Sequence, residues 1–140
     1  MTMQYWLVKS EPFKYSWDQF VADKETYWDG VRNYLARNNM RAMKKGDLVL
    51  FYHSNEGLEV VGVAKVSKEH YPDPTAEGDT WSVVNLKPVK KLKCPVSLAT
   101  IKSDSRLEQI QLLRLNRLSV TALTPHEFDI ILQLGETVIK

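Results

Sequence analysis

One cysteine is too few for several kinds of protein. Cys94 cannot close an internal disulfide and has no neighbour at metal-ligand spacing, which excludes an oxidised scaffold and a cysteine-rich zinc site. The three histidines, His53, His70 and His126, lack zinc-ligand spacing, and none of the six glycines builds a phosphate-cradling loop. No stretch of about 18 apolar residues is present to span a bilayer, and the N-terminus lacks the basic region and apolar run of a secretory signal. Internal repeats, low-complexity segments and linkers are missing as well. Together these absences predict a cytosolic monomer, a single domain over residues 1–140, with no metal, cofactor or membrane partner.

Charge of one sign is also scarce, at +2 net, but its distribution is uneven. Residues 28–45 carry five basic groups against one acidic, 46–79 two against seven, and 80–106 six against one. Two basic segments flank an acidic one, and a patch forms if they meet in space.

The chain then reads in short elements. Gln4 to Val8 is a strand stopped by Ser10-Glu11-Pro12, with Trp6, Val8 and Ser10 on one face. Ser16-Trp17-Asp18-Gln19 is a capping-box pattern opening a short helix whose Trp17 belongs to the core. A second helix is expected from Val31 to Lys44-Lys45, closed by Gly46. Its apolar side holds Val31, Tyr34, Leu35 and Ala42, with Asn38 in the middle as an amide tying the segment to the core. Asp47 to His53 and Glu59 to Ser67 form a hairpin, followed by an irregular acidic loop from His70 to Asp79. Thr80 to Lys93 is a long strand with Pro88 at an edge or bulge. One or two short helices follow between Ser97 and Ile110, then a last strand at Arg117 to Thr121. A closing helix begins at Thr124-Pro125-His126-Glu127, with an N-cap, an N1 proline and an N3 glutamate. The fold class is α+β, a mixed barrel or strongly curved sheet of five to six strands with short flanking helices.

The densest chemistry lies in Trp28-Asp29-Gly30-Val31-Arg32-Asn33-Tyr34-Leu35-Ala36-Arg37-Asn38. Aromatic faces take flat rings, amides read hydrogen-bonding edges, and guanidiniums attract anions. A nucleobase pocket beside a phosphate track is the function these residue types suit. Trp28 would be a stacking wall worth roughly 1–3 kcal/mol per base, with Asn33 and Ser10 reading the base edge. Arg32, Arg37, Arg41, Lys90, Lys91, Lys93 and Arg117 are the phosphate candidates, too few for tight binding and enough for weak, salt-sensitive binding.

This stretch, together with Trp6-Leu7-Val8-Lys9-Ser10-Glu11-Pro12, Phe51-Tyr52-His53-Ser54-Asn55 and Tyr71-Pro72-Asp73, closely resembles the EVE-domain family from about Trp6 to Leu134. The resemblance implies a PUA-like fold, related to YTH and SRA domains, and a non-catalytic reader of a modified base in RNA or DNA. It is similar to the YTH pattern in having Ser10 follow Lys9 at the end of the first strand, with Trp28 matching the first cage tryptophan. Tyr52, His53, Ser54 and Trp81 are the candidates to complete the pocket, with Lys9 and Asn38 in support. Two other classes are weighed beside this one. An aromatic pocket also suits a peptide or methylated side chain in a protein-interaction module. Ser10, Asp29, His53 and Ser54 could assemble into a small-molecule hydrolase, but no Gly-x-Ser-x-Gly elbow surrounds either serine.

Overall fold

Alternation along the strands assigns side chains to two faces of one sheet in the computed structural model, which describes residues 3–139. Strand β1 (Tyr5–Ser10) turns Trp6 and Val8 to one face and Leu7 to the other. Strand β3 (Leu48–His53) repeats the division, with Val49 and Phe51 against Leu50 and Tyr52. The first face packs beneath α1 (Trp17–Asp23) and α2 (Tyr34–Ala42). Covering the second are α3 (Leu98–Ser103), a 3-10 turn at Ser105–Leu107, α4 (Gln111–Arg114) and α5 (Pro125–Leu134).

With β2 (Thr26–Tyr27), β4 (Glu59–Pro72), β5 (Ser82–Ser97) and β6 (Val120–Leu123), the order across the sheet is β2-β5-β4-β3-β1-β6. Among the described residues only β1 and β3 run parallel; the other pairs are antiparallel. The expected α+β class and curved six-stranded sheet are present, but the barrel is not closed. The terminal strands β2 and β6 do not pair with each other among the described residues. Pro88 combines the two roles expected of it. Facing Ala64, it sits where the β4–β5 register shifts, and β2 pairs β5 only at Asn85 and Leu86, leaving no strand partner on that side for a proline to disrupt.

Helix ends follow their caps. Ser16 accepts from the Gln19 N–H to start α1, and Thr124 and Glu127 complete a reciprocal capping box on α5. Helix α2 is shorter than its sequence pattern. Asn33 is its N-cap, and the chain leaves helical geometry at Met43, before the lysines. Its packing face consists of Ala36 and Met40, while Tyr34 and Leu35 are exposed. Other elements differ as well: β2 and α4 were not expected, β4 continues to Pro72, β5 runs from Ser82 to Ser97, and β6 spans Val120–Leu123.

Trp17 lies flat on the backbone of Gly62, where an added Cβ would stand 2.5 Å from the indole. The ring is buried and packed edge-on against Phe20 and Phe51, which oppose its displacement. Gly62→Ala should therefore cost about 1–3 kcal/mol by overpacking. A thermal midpoint lowered by several degrees would be the readout; an unchanged midpoint would mean that the indole does not rest there.

Candidate nucleic-acid interface

The end of β1, the turn after it and the segment leading out of β2 enclose a cavity of about 490 Å³. Lys9, Ser10, Glu11, Lys14, Tyr15, Thr26, Tyr27, Trp28 and Asp29 line it, so Ser10 and Trp28 meet there. Trp28 is 9% exposed, its ring held edge-on against Phe51 at 5.5 Å and Tyr15 at 6.2 Å, and its backbone N–H donates to the Val84 carbonyl. It is at once core and pocket floor. The Ser10 hydroxyl donates to the Tyr15 carbonyl, fixing the turn whose Lys14 and Tyr15 N–H groups both donate to Glu11. That bond uses the hydroxyl proton and leaves oxygen lone pairs to accept. Tyr15, which the sequence reading passed over, donates its own hydroxyl to Asp23. Burial foremost, with the Asp23 carboxylate, pushes the Tyr15 phenol up to about 12 against an opposing bond with Thr26. Asp29 stands exposed at the rim, and its carboxylate accepts no bond among the described residues.

Five of the sequence candidates lie elsewhere, Tyr52, His53 and Ser54 around the end of β3 and Asn33 and Trp81 beside α2. Tyr52 faces the opposite side of the sheet from Phe51 and lines a smaller cavity of about 260 Å³ with Ser54, Asn55 and Leu112. Its phenol is raised by burial. His53 returns to the Phe51 side, but its Nε2 accepts the Trp17 backbone N–H at 3.1 Å at the start of α1. Burial, opposed by Glu59 and Asp18, holds its pKa below the ordinary histidine value, in keeping with an acceptor nitrogen. Ser54 meets Ser10 only through its backbone N–H, which donates to the Ser10 carbonyl. Ser10 and His53 thus spend their bonding atoms on separate structural partners, and no nucleophile–base pair joins them among the described residues.

The amides also divide unexpectedly. Asn33 accepts the Ala36 N–H as the α2 cap, beside a shallow recess with Leu35, Arg117 and Leu118. Asn38 is exposed and accepts from the Arg37 guanidinium. The tie to the core expected of it is made by Asn39, which donates to the Val120 carbonyl of β6 at 2.8 Å. Lys9 lines the cavity and donates from Nζ to the Asn116 carbonyl, and burial lowers its pKa.

Among the basic candidates the partners differ in kind. Arg32 meets Asp73 at 3.0 Å, and that carboxylate, wholly buried, also accepts from Gly30 N, Thr75 N and the Thr75 hydroxyl. Burial alone would push the Asp73 pKa up; its bonds from the Thr75 hydroxyl, the Gly30 and Thr75 N–H groups and Arg32 hold it at about 2. Arg37 and Arg41 reach across to the 79–82 segment, donating to Thr80 O and to Ser82 Oγ, Asp79 O and Thr80 O respectively. Trp81, in the same segment, stacks on Tyr34 rather than beside Trp28. Lys90 and Lys91 border a separate recess with Trp17, Asp18 and Val21 of α1, and Lys93 lies further along β5. The two basic segments therefore bring arginines together where α2 meets the 79–82 segment, and the lysines of β5 form a second positive area.

The domain is an open, curved α+β sheet with an aromatic-floored pocket beside its first strand. Residues 4–134 match the EVE domain, and the chain belongs to the EVE-domain family. Thymocyte nuclear protein 1 of Mus musculus is 39% identical, over 95% of this chain and 74% of that protein. A solved protein from Agrobacterium tumefaciens superposes with a TM-score of 0.93 at 48% identity, covering 96% of this chain and 94% of that one. The crystal structure of human THYN1 protein in complex with 5-methylcytosine containing DNA superposes at 0.89 with 35% identity, covering 97% and 99%. A YTH domain from Zygosaccharomyces rouxii shares the fold at a TM-score of 0.59 and 12% identity. The relatives' name, thymocyte nuclear protein 1, corrects the expectation of a cytosolic protein, which rested on cysteine content and a missing signal, neither of which separates nucleus from cytosol.

Proposed function

We propose that the cavity floored by Trp28 takes one extruded base of a nucleic acid, a modified one, and that the domain reads it without catalysing a reaction. The observation that carries this reading is that Trp28 and Ser10 line a single cavity together with the unpartnered Asp29. The volume lies in the range of sites for small planar ligands. In this reading the indole packs against the base, Ser10 Oγ accepts from its edge, and Asp29 accepts from an exocyclic amino group, as carboxylates do from cytosine. Arg117 nearby offers a cation to the flanking phosphates, whereas Lys14 at the rim is paired with Glu11 at 3.3 Å. A buried methyl group adds roughly 0.8 kcal/mol, and N-methylation also removes a donor that would need a partner, so modified bases gain about tenfold. The human relative solved with 5-methylcytosine containing DNA supports the same class of ligand.

The test is a titration with 5-methyl-2'-deoxycytidine, N6-methyladenosine and their unmodified counterparts, following the four indole N–H resonances by NMR. The expected result is a saturable shift of the Trp28 resonance with a modified nucleoside and about tenfold weaker binding of the plain one. A Trp28 resonance that no nucleoside moves, in a protein that still binds oligonucleotides, would overturn the reading.

A further inference from the structure

We propose that Tyr34 and Trp81 form a second stacking site, which takes a base of the strand flanking the one in the Trp28 pocket. The flanking relation rests on the pocket reading above; the stacking site itself rests on separate observations. Tyr34, the first residue of α2, is 62% exposed, and its ring stacks on Trp81 with centroids 5.1 Å apart and planes 26° from parallel. The Arg37 guanidinium lies 4.9 Å from the Tyr34 centroid and 6.0 Å from that of Trp81, while Arg32 lies 5.7 Å from Trp81. A ring this exposed contributes little to the core, whereas an aromatic face bordered by guanidiniums suits a base with its phosphate.

Charge separates this surface from an ordinary staple. Arg32 is compensated by the buried Asp73 carboxylate. Arg37 and Arg41 are not, because every acceptor they meet is neutral: Asn38 Oδ1, Ser82 Oγ and the carbonyls of Asp79 and Thr80. Those bonds hold both guanidiniums in place without neutralising them and leave N–H groups on each to donate. Two positive charges fixed beside a pair of stacked rings complement a single nucleic-acid strand better than a peptide, whose backbone carries no charge. The site also has a fixed relation to the pocket. Tyr34 follows Trp28 by six residues, at most about 20 Å of chain. Gly30 between them, at φ +78°, donates its N–H to the Asp73 carboxylate that also holds Arg32 under Trp81.

Tyr34→Leu keeps an apolar side chain on the helix and removes the ring, so it tests stacking without opening the core. The probes are a five-nucleotide single-stranded DNA with 5-methylcytosine at its centre, an unmodified thymidine pentamer, and free 5-methyl-2'-deoxycytidine. Expected are about tenfold weaker binding of both pentamers, nucleoside affinity unchanged within twofold, an unchanged thermal midpoint, and recovery in Tyr34→Phe. Pentamers bound as by wild type would overturn the proposal, and so would equal loss of pentamer and nucleoside, which would place Tyr34 in the first pocket. Loss of the thymidine pentamer in a protein that takes no nucleoside would keep the stacking site and remove the pocket reading alone. An acidic or neutral peptide that competes with the pentamers in wild type but not in Tyr34→Leu, while neither pentamer responds to salt, would assign the surface to a protein partner instead.

Discussion

Asp73→Ala should lower stability by about 3 kcal/mol at neutral pH, the low end for breaking a buried pair because the Arg32 side chain is 40% exposed and keeps some solvation. The loss comes from what the carboxylate holds: the N–H of Gly30, the guanidinium of Arg32 and the start of the 73–82 loop through Thr75. Asn at this position preserves shape and isolates the charge. The folded carboxyl titrates at about 2, below its value in the unfolded chain, so the unfolded state binds the extra proton between the two. Its contribution, about 2 kcal/mol, is complete above roughly pH 5 and disappears as pH falls towards 2. Urea unfolding of wild type and Asp73→Asn at pH 7 and pH 2.5 should give midpoints whose separation at the first narrows to about a third at the second. Parallel curves across that range would mean that the carboxylate is not ion-paired in solution.

Trp28 should give the larger effect on binding, and its two roles have to be separated. Trp28→Ala removes a ring packed against Phe51 and Tyr15, which costs about 3–5 kcal/mol in a core and takes much of a small domain's stability. Lost binding in that variant alone would say nothing about contact. Trp28→Phe keeps most of the packing and reduces the stacking surface. It should fold with a modestly lower midpoint and bind methylated oligonucleotides about tenfold more weakly, a share of the roughly 1–3 kcal/mol that one stacked base provides. Affinity by fluorescence anisotropy, beside a melting curve of the same sample, distinguishes the outcomes. Full affinity in Trp28→Phe would assign the indole to packing only.

What could be read in advance was whatever depends on neighbours in sequence. The Thr124 and Ser16 caps, the hairpin of β3 and β4 and the kink at Pro88 are local, and each is in place. Helix α2 misled because Tyr34 and Leu35 are apolar but occupy its first turn and face solvent, whereas Val31, which precedes the helix, is buried in the core as expected. The contact face is set by the smaller Ala36, which lets the helix approach, and by Met40. A single step of about 100° then separates exposed Asn38 from Asn39, which reaches β6. For Tyr52 and His53 the signal was available: period-2 alternation puts adjacent strand residues on opposite faces, so one pocket could not hold both. Nothing local reveals that Trp81 would stack on Tyr34 or that Asp73 would return to Gly30, because the 73–82 loop is positioned by contacts more than 40 residues away in sequence.

The place of β1 in the sheet has a consequence for how the molecule is made. The first strand lies between β3 and β6, pairing Tyr5 with Leu48 on one side and with Leu123 on the other. Until the last strand has left the ribosome, one edge of β1 has no partner, and Leu7 lacks the α5 residues Phe128, Ile130 and Ile131 that complete its side of the core. A nascent chain cannot finish this sheet from the N-terminus forward, and closing such distant pairs favours folding in milliseconds to seconds rather than microseconds.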